Sequence, residues 1–177
     1  MNMSRIMFAG FGGQGLLFSG KVAATAGLID GREVTWLPSY GPEMRGGTAN
    51  CSVCLSDRPI GSPLVTKPDI LVAMNTPSYA KFINAVTKDG LVITDSSMVR
   101  REIHRNDVSL FEVDATQISN DEHLEGISNM ILLGKLVKES GIISQETIEE
   151  AVRHCVPARK AHLLESNLKA IRIGIAL

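Results

Sequence analysis

The sequence contains no apolar run of about 18 residues, so no stretch has the length a helix needs to cross a bilayer. Charge of one sign is equally scarce. Its 18 basic and 19 acidic residues leave a net charge of −1, which excludes a general nucleic-acid binder. Three cysteines make an odd count, which argues against a disulfide framework. Too few residues precede Gly10 to form a secretory leader. Together these absences describe a cytoplasmic protein that engages neither membrane nor nucleic acid. Apolar residues are present in ordinary supply, at 44% of 177 residues. A chain of this length forms one domain and buries on the order of 70% of its unfolded surface, so it needs no staples. The seven methionines read as core filler.

Short apolar runs alternate with helical patterns. Residues 5–9 (RIMFA) read as a buried strand, and 14–28 as a helix with Leu16, Leu17, Val22, Ala23 and Ala26 on its packed face. Residues 33–37 read as a second strand, closed by Pro38. A connection over 38–50 follows, with two prolines and three glycines. Residues 48–56, 70–74, 90–94 and 108–113 read as further strands. The helix over 77–86 is expected to take Thr76 as its cap, with Pro77 at its first position. Beyond residue 113 the pattern is helical, over 124–139, 144–155 and 158–174, with Ser144 in a cap region. Such alternation predicts an α/β sandwich on a largely parallel sheet. Only a loop separates the second and third strands. That is too short for a helical crossover, so part of the sheet is expected to run antiparallel.

The first loop carries Gly10, Gly12, Gly13, Gln14 and Gly15, with the spacing Gly-x-Gly-x-x-Gly between a strand and a helix. Small residues let the backbone approach a ligand, and free amides at the next helix start favour an anion. A dinucleotide site also needs a carboxylate at the end of the second strand, to hold the ribose hydroxyls. That strand ends instead in Leu37-Pro38-Ser39-Tyr40. The loop therefore reads as a phosphate-, acid- or subunit-contacting segment, with tight helix–sheet packing as the plainer alternative. The Gln14 amide can donate and accept, toward a ligand or across its own loop. A second segment, "LPSYGPEMRGGTANCSV", sets Tyr40, Glu43 and Arg45 among Gly46, Gly47, Thr48 and Asn50. Arg45 offers a planar fork of donors for phosphate or carboxylate. Glu43 can pair with it, and Asn50 can bond to the loop backbone. The two loops are expected side by side at the carboxyl end of the sheet, where open α/β sheets bind ligands.

Taken together, "GFGGQG" at 10–15, "LPSYGPEMRGGTANCSV" at 37–53 and "PIGSPLV…PDILVAMN" at 59–75 resemble the gamma subunit of the 2-oxoacid:ferredoxin oxidoreductases. The second segment looks closest to the 2-oxoglutarate type. The resemblance implies a single gamma-type domain over 1–177, with a Rossmann-like three-layer α/β/α sandwich, a mostly parallel mixed sheet and a helical C-terminal part. It implies a complex that oxidatively decarboxylates a 2-oxoacid, forms an acyl-coenzyme A and passes two electrons to ferredoxin. Alpha, beta and delta subunits are the implied partners, with thiamine diphosphate and iron–sulfur clusters in those chains. Coenzyme A would be a substrate shared at the two loops, and the chain would also serve assembly. A homodimer is a further expectation, since two-fold pairing is the commonest oligomer.

The remaining residues agree with a chain that holds no complete active site. No Gly-Asp-Gly…Asn motif for a diphosphate–metal site is present. Iron–sulfur clusters need several closely spaced cysteines. Cys51 and Cys54 lie three apart in an expected strand, on opposite faces, where they cannot share one metal. The histidines 104, 123, 154 and 162 are scattered, and no nucleophile is paired with a base. Two other readings stand beside this one: a stand-alone nucleotide- or dinucleotide-dependent oxidoreductase, and a purely architectural subunit.

Overall fold

The computed structural model describes residues 3–39 and 49–177. It is a six-stranded sheet with helices on both faces. The strands are β1 (Met3–Gly10), β2 (Glu33–Ser39), β3 (Ala49–Ser56), β4 (Ile70–Ala73), β5 (Leu91–Asp95) and β6 (Ser109–Val113). Their order across the sheet is β2-β3-β1-β4-β5-β6. β1, β4, β5 and β6 pair in parallel, while β3 pairs antiparallel with both β1 and β2. The expected mixed sheet is therefore present, with its antiparallel part confined to one side.

Pro38 does not close the second strand. β2 continues to Ser39, because it lies at the sheet edge, where a residue without an N–H breaks no ladder of the sheet interior. β3 sits between β1 and β2. The helix α1 (Leu16–Ile29) therefore spans that gap, and lies close over β3. Its small residues make the approach possible. A Cβ on Gly20 would overlap the Cys51 sulfur, and one on Gly27 would overlap the end of Leu55.

The larger core lies between this face of the sheet and four helices: α1, α4 (Ser128–Ser140), α5 (Gln145–Cys155) and α6 (Leu164–Ala176). α4 is its centre, with every residue from Asn129 to Val137 buried. Where α4 crosses α6, Gly134 faces the Ile171 carbonyl and Gly174 faces the Ile131 carbonyl, with no room for a methyl group at either. The opposite face carries a smaller core, covered by α2 (Thr76–Phe82) and the segments around Val65 and Val99.

Several local expectations shift. α2 is capped by Asn75, whose Oδ1 accepts from the Ser78 amide at 2.9 Å. Thr76 begins the helix instead, and its hydroxyl donates to the Met98 carbonyl. The helix expected over 124–139 starts at Ser128, and a short helix α3 (Ala115–Asp121) precedes it. The segment 158–174 is not one helix. A 3₁₀ segment, Ala158–Leu163, contains a non-helical Lys160 (φ −117°) and leads into α6. Ser144 caps α5 as expected, accepting from the Thr147 amide.

Candidate functional site

β1 leads to α1 and β2 on one side of the sheet, and β4 opens the other side. The chain thus reverses direction between β1 and β4, and ligands of open α/β sheets bind outside the carboxyl ends of strands at such a point. The glycine loop occupies that place. Gly10 ends β1, Gly12 and Gly13 are exposed, and Gly15 immediately precedes α1. Gly13 and Gly15 have φ of +90° and +76°, a region that disfavours side chains.

Gln14 braces the loop from within. Its Oε1 accepts from the Phe11 amide at 2.6 Å and from Asn75 Nδ2 at 3.0 Å. Its Nε2 donates to the Met74 carbonyl at 3.0 Å. One side chain therefore ties the loop after β1 to the turn after β4. Of the two roles open to Gln14, bracing its own loop is the one the geometry displays. A Cβ on Gly10 would lie 2.7 Å from Gln14 Oε1, so a side chain there would push the bracing amide aside.

On the other flank, Gly15 is held by Asn129 in the first turn of α4. Asn129 Nδ2 donates to the Gly15 carbonyl at 3.1 Å and to Ser19 Oγ at 3.0 Å. The N-termini of α1 and α4 therefore meet. Neither has a side-chain cap. The amides of Leu16, Leu17 and Phe18, and those of Ser128 and Asn129, find no acceptor among the described residues. Unpaired first-turn amides and the helix dipole both favour an anion.

The second loop is delivered to the same end of the sheet. β2 ends at Ser39 and β3 resumes at Ala49, whose partner in the ladder is Gly10. Asn50 pairs with Ala9 on one side and Ser39 on the other. The remaining expected residues of that loop (Tyr40, Glu43, Arg45, Gly46, Gly47 and Thr48) lie outside the described residues.

Behind the glycine loop is a cavity of about 520 Å³, which sequence reading did not find. Its lining includes Gly15, Lys21, Asn129, Arg159, Lys160 and Asn167. No lining residue is acidic. The three cations form no ion pair among the described residues. Lys21 stood in plain view seven residues after Gln14. Its meaning depends on residues more than a hundred positions away, so no local signal marked it.

Cys51 and Cys54 take opposite faces of β3. Cys51 lies in the core under α1 and Cys54 in the smaller core. Burial pushes the Cys51 thiol up to about 11, although Trp36 Nε1–H donates to its sulfur at 2.8 Å. Among the described residues no group of three or more His, Cys, Asp or Glu could hold a metal ion. No helix among them is long and apolar enough to cross a membrane.

Residues 5–177 match the family described as pyruvate ferredoxin/flavodoxin oxidoreductase. The chain is 36% identical to the 2-oxoglutarate synthase subunit KorC of Methanocaldococcus jannaschii, over 96% of this chain and 90% of that one. Its fold superposes on the keto/oxoacid ferredoxin oxidoreductase gamma subunit of Geobacter sulfurreducens PCA with a TM-score of 0.84 and 28% identity, covering 98% of this chain and 96% of that chain. It also superposes, with a TM-score of 0.87 and 24% identity, on part of the 2-oxoglutarate:ferredoxin oxidoreductase of Magnetococcus marinus, a structure with 2-oxoglutarate, coenzyme A and succinyl-CoA bound. That match covers 99% of this chain and 31% of the other, and it bears on fold alone. Glycine loop, inserted antiparallel strand and full-length match agree, and the chain belongs to the pyruvate ferredoxin/flavodoxin oxidoreductase family, as a gamma subunit of the 2-oxoacid:ferredoxin oxidoreductases that resembles the 2-oxoglutarate type.

Proposed function

We propose that this gamma subunit works in a complex that oxidatively decarboxylates 2-oxoglutarate, forms an acyl-coenzyme A and delivers electrons to ferredoxin. In this reading it supplies binding and shape rather than the reacting groups. Alpha, beta and delta chains carry thiamine diphosphate and the iron–sulfur clusters. This chain contributes to assembly, and its two loops border the place where coenzyme A enters. The observation that carries the reading is the ladder pair Ala49–Gly10, which sets the end of the second loop beside the start of the first at the carboxyl end of the sheet. A loop of free amides beside an arginine-bearing loop suits a phosphate or an acidic surface. Gly10, Gly12, Gly13, Gln14, Gly15 and Asn50 would form or brace one wall, and Tyr40, Glu43, Arg45, Gly46, Gly47 and Thr48 the other.

A stand-alone dinucleotide enzyme fits less well. That chemistry wants the end of the second strand next to β1, with a carboxylate there. Here β3, running the other way, occupies that position, and β2 ends in Ser39.

The test is reconstitution. Purifying the tagged chain from its native host should bring down thiamine- and iron–sulfur-containing partners, with 2-oxoglutarate- and coenzyme A-dependent ferredoxin reduction. In that complex Arg45→Ala should raise the KM for coenzyme A about tenfold or more, the scale of one lost charge-assisted contact. A complex that forms normally with an unchanged KM would remove Arg45 from the site. Isolation of the chain without partners would end the subunit reading.

A further inference from the structure

Capping α2 does not by itself require asparagine at position 75. Ser, Thr, Asp and Asn all cap helices, because each offers an oxygen to a first-turn amide. Asn75 does so with Oδ1, which accepts from the Ser78 amide at 2.9 Å. Of the four residue types only asparagine adds an amide nitrogen, and here that nitrogen is used. Nδ2 donates to Gln14 Oε1 at 3.0 Å. A hydroxyl would stop one bond short of Gln14, and a carboxylate has no donor. Asn75 is 2% exposed, so solvent does not stand ready to replace either bond. The residue thus does more than the helix asks of it, and the additional bond runs to the glycine loop.

The pair of amides has a direction. The Ser78 amide can only donate, so the Asn75 oxygen must face it and the nitrogen must face Gln14. The Met74 carbonyl can only accept, and the Phe11 amide can only donate. Gln14 therefore turns its nitrogen to the first, at 3.0 Å, and its oxygen to the second, at 2.6 Å. Turning Asn75 over would set donor against donor at Ser78 and oxygen against oxygen at Gln14. Turning Gln14 over would set donors together at Phe11 and Asn75, and oxygens together at Met74. Neither amide has a second orientation, and a fully satisfied polar network specifies one geometry. The loop it braces is otherwise slack. Four of the six residues at 10–15 are glycine, which loses the most freedom on ordering. A loop not ordered beforehand must be ordered by its ligand, and that weakens binding.

We propose that Asn75 is a positioning residue for the glycine loop. Its oxygen caps α2, its nitrogen fixes the Gln14 amide, and Gln14 holds the loop in the form that meets its ligand. Asn75 acts wholly through Gln14. The identity of the ligand, coenzyme A, rests on the gamma-subunit reading above; the hold on the loop stands without it.

The test uses Asn75→Asp and Asn75→Ser, which keep an oxygen for the Ser78 amide and remove the nitrogen. In the full chain, hydrogen exchange at the Phe11 amide should be about tenfold faster or more in both variants, the scale of one lost buried hydrogen bond. Exchange at Ser78 should stay within about twofold of the parent, since the cap is kept. In the native complex both variants should raise the KM for coenzyme A about fivefold or more, with kcat within about twofold, as expected when the ligand must order its own loop. Asn75→Asp should be the more severe, because it sets a carboxylate oxygen against Gln14 Oε1. Gln14→Ala should raise KM likewise. Adding Asn75→Ser to it should change nothing further, because a residue acting through Gln14 has no effect once Gln14 is gone. Unchanged Phe11 exchange in both variants overturns the proposal. So does faster exchange with an unaltered KM, a loss confined to kcat, or an additive double variant. A parent complex without coenzyme A-dependent ferredoxin reduction refutes the gamma-subunit reading instead, and Phe11 exchange alone then decides the role of Asn75.

Discussion

Replacing Gly134 with alanine is the sharpest test of how the helical half is built. Gly134 sits where α4 crosses α6. A Cβ there would overlap the Ile171 carbonyl oxygen and lie 3.0 Å from Gly174 Cα. These neighbours are backbone, so no rotamer change relieves the contact. The helices must move apart by roughly 1 Å, and a gap of that size forfeits a quarter to a half of the dispersion energy across it. The contact is lined by Ile131, Leu168 and Ile171, all fully buried. Overpacking of this kind costs about 1–3 kcal/mol, and a backbone clash belongs at the upper end. Alanine regains about 1 kcal/mol in helix propensity. The net loss should be about 2 kcal/mol, a fall in Tm of roughly 4–8 °C for a chain of this size. Urea unfolding followed by circular dichroism measures it, with Gly141→Ala as comparison. Gly141 has φ +60° and open space around it, so that change tests backbone strain alone. A Gly134→Ala protein as stable as the parent would refute the close helix crossing.

Two further predictions concern the loop and the acid stability. Gln14→Ala removes three hydrogen bonds, to Phe11, Met74 and Asn75, and should cost about 1.5–3 kcal/mol. Amide exchange at Phe11 should rise at least tenfold, and an unchanged rate would mean that Gln14 does not hold the loop. Glu149 accepts both guanidinium bonds from Arg172, at 2.9 and 2.6 Å. That bonding, aided by Gln145 and Arg153 against the opposing effect of burial, holds its carboxyl at about 2. A folded value below the unfolded one means that the unfolded chain binds the extra proton. The stabilisation is therefore complete above about pH 4.5 and is lost as pH falls toward 2. Arg172→Gln should flatten the stability-against-pH curve in that window while leaving its slope near neutrality unchanged. An unaltered acid limb would exclude this pair as the cause.

Most strands were legible as short apolar runs bounded by Gly, Pro or Asp, and β3 by its alternation of polar and small apolar residues. Where reading failed, a tertiary contact outweighed the local signal. At 75–76, two residues with capping side chains stand in succession. Asn75 takes the cap because its Nδ2 also reaches Gln14, while the Thr76 hydroxyl is drawn to the Met98 carbonyl, 22 residues away. α3 was missed because ATQISND shows almost no apolar stripe. It is held at its start by Thr116, whose hydroxyl donates to the buried Asp95 at 2.6 Å. Lys160 breaks the last helical pattern at a position where apolar spacing continues on both sides. The insertion of β3 between β1 and β2 was beyond reach altogether. Hydrophobic pattern reports which residues are buried, not which strand lies beside which.

That insertion decides where binding chemistry can gather. Had β2 paired directly with β1, the place beside Gly10 would belong to the end of β2. With β3 antiparallel between them, the start of β3 lies there instead, so the connection that leaves β2 at Ser39 ends beside the glycine loop, at Ala49. The first turn of α1 then carries the glycine loop on one flank and the basic cavity on the other. A second cavity, of about 420 Å³, lies at the amino end of β4, β5 and β6, and its charged lining is Asp69, Asp89 and Glu139. Of these, Asp69 is paired with Arg5 and Glu139 with Lys135. The net charge of −1 argued against a surface made for long polyanions. It carries no information about a local field, because a net count does not record where the charges lie. At the carboxyl end the cavity beside the glycine loop is lined by Lys21, Arg159 and Lys160 with no carboxylate among its lining residues, a local arrangement that a net charge of −1 neither reveals nor forbids.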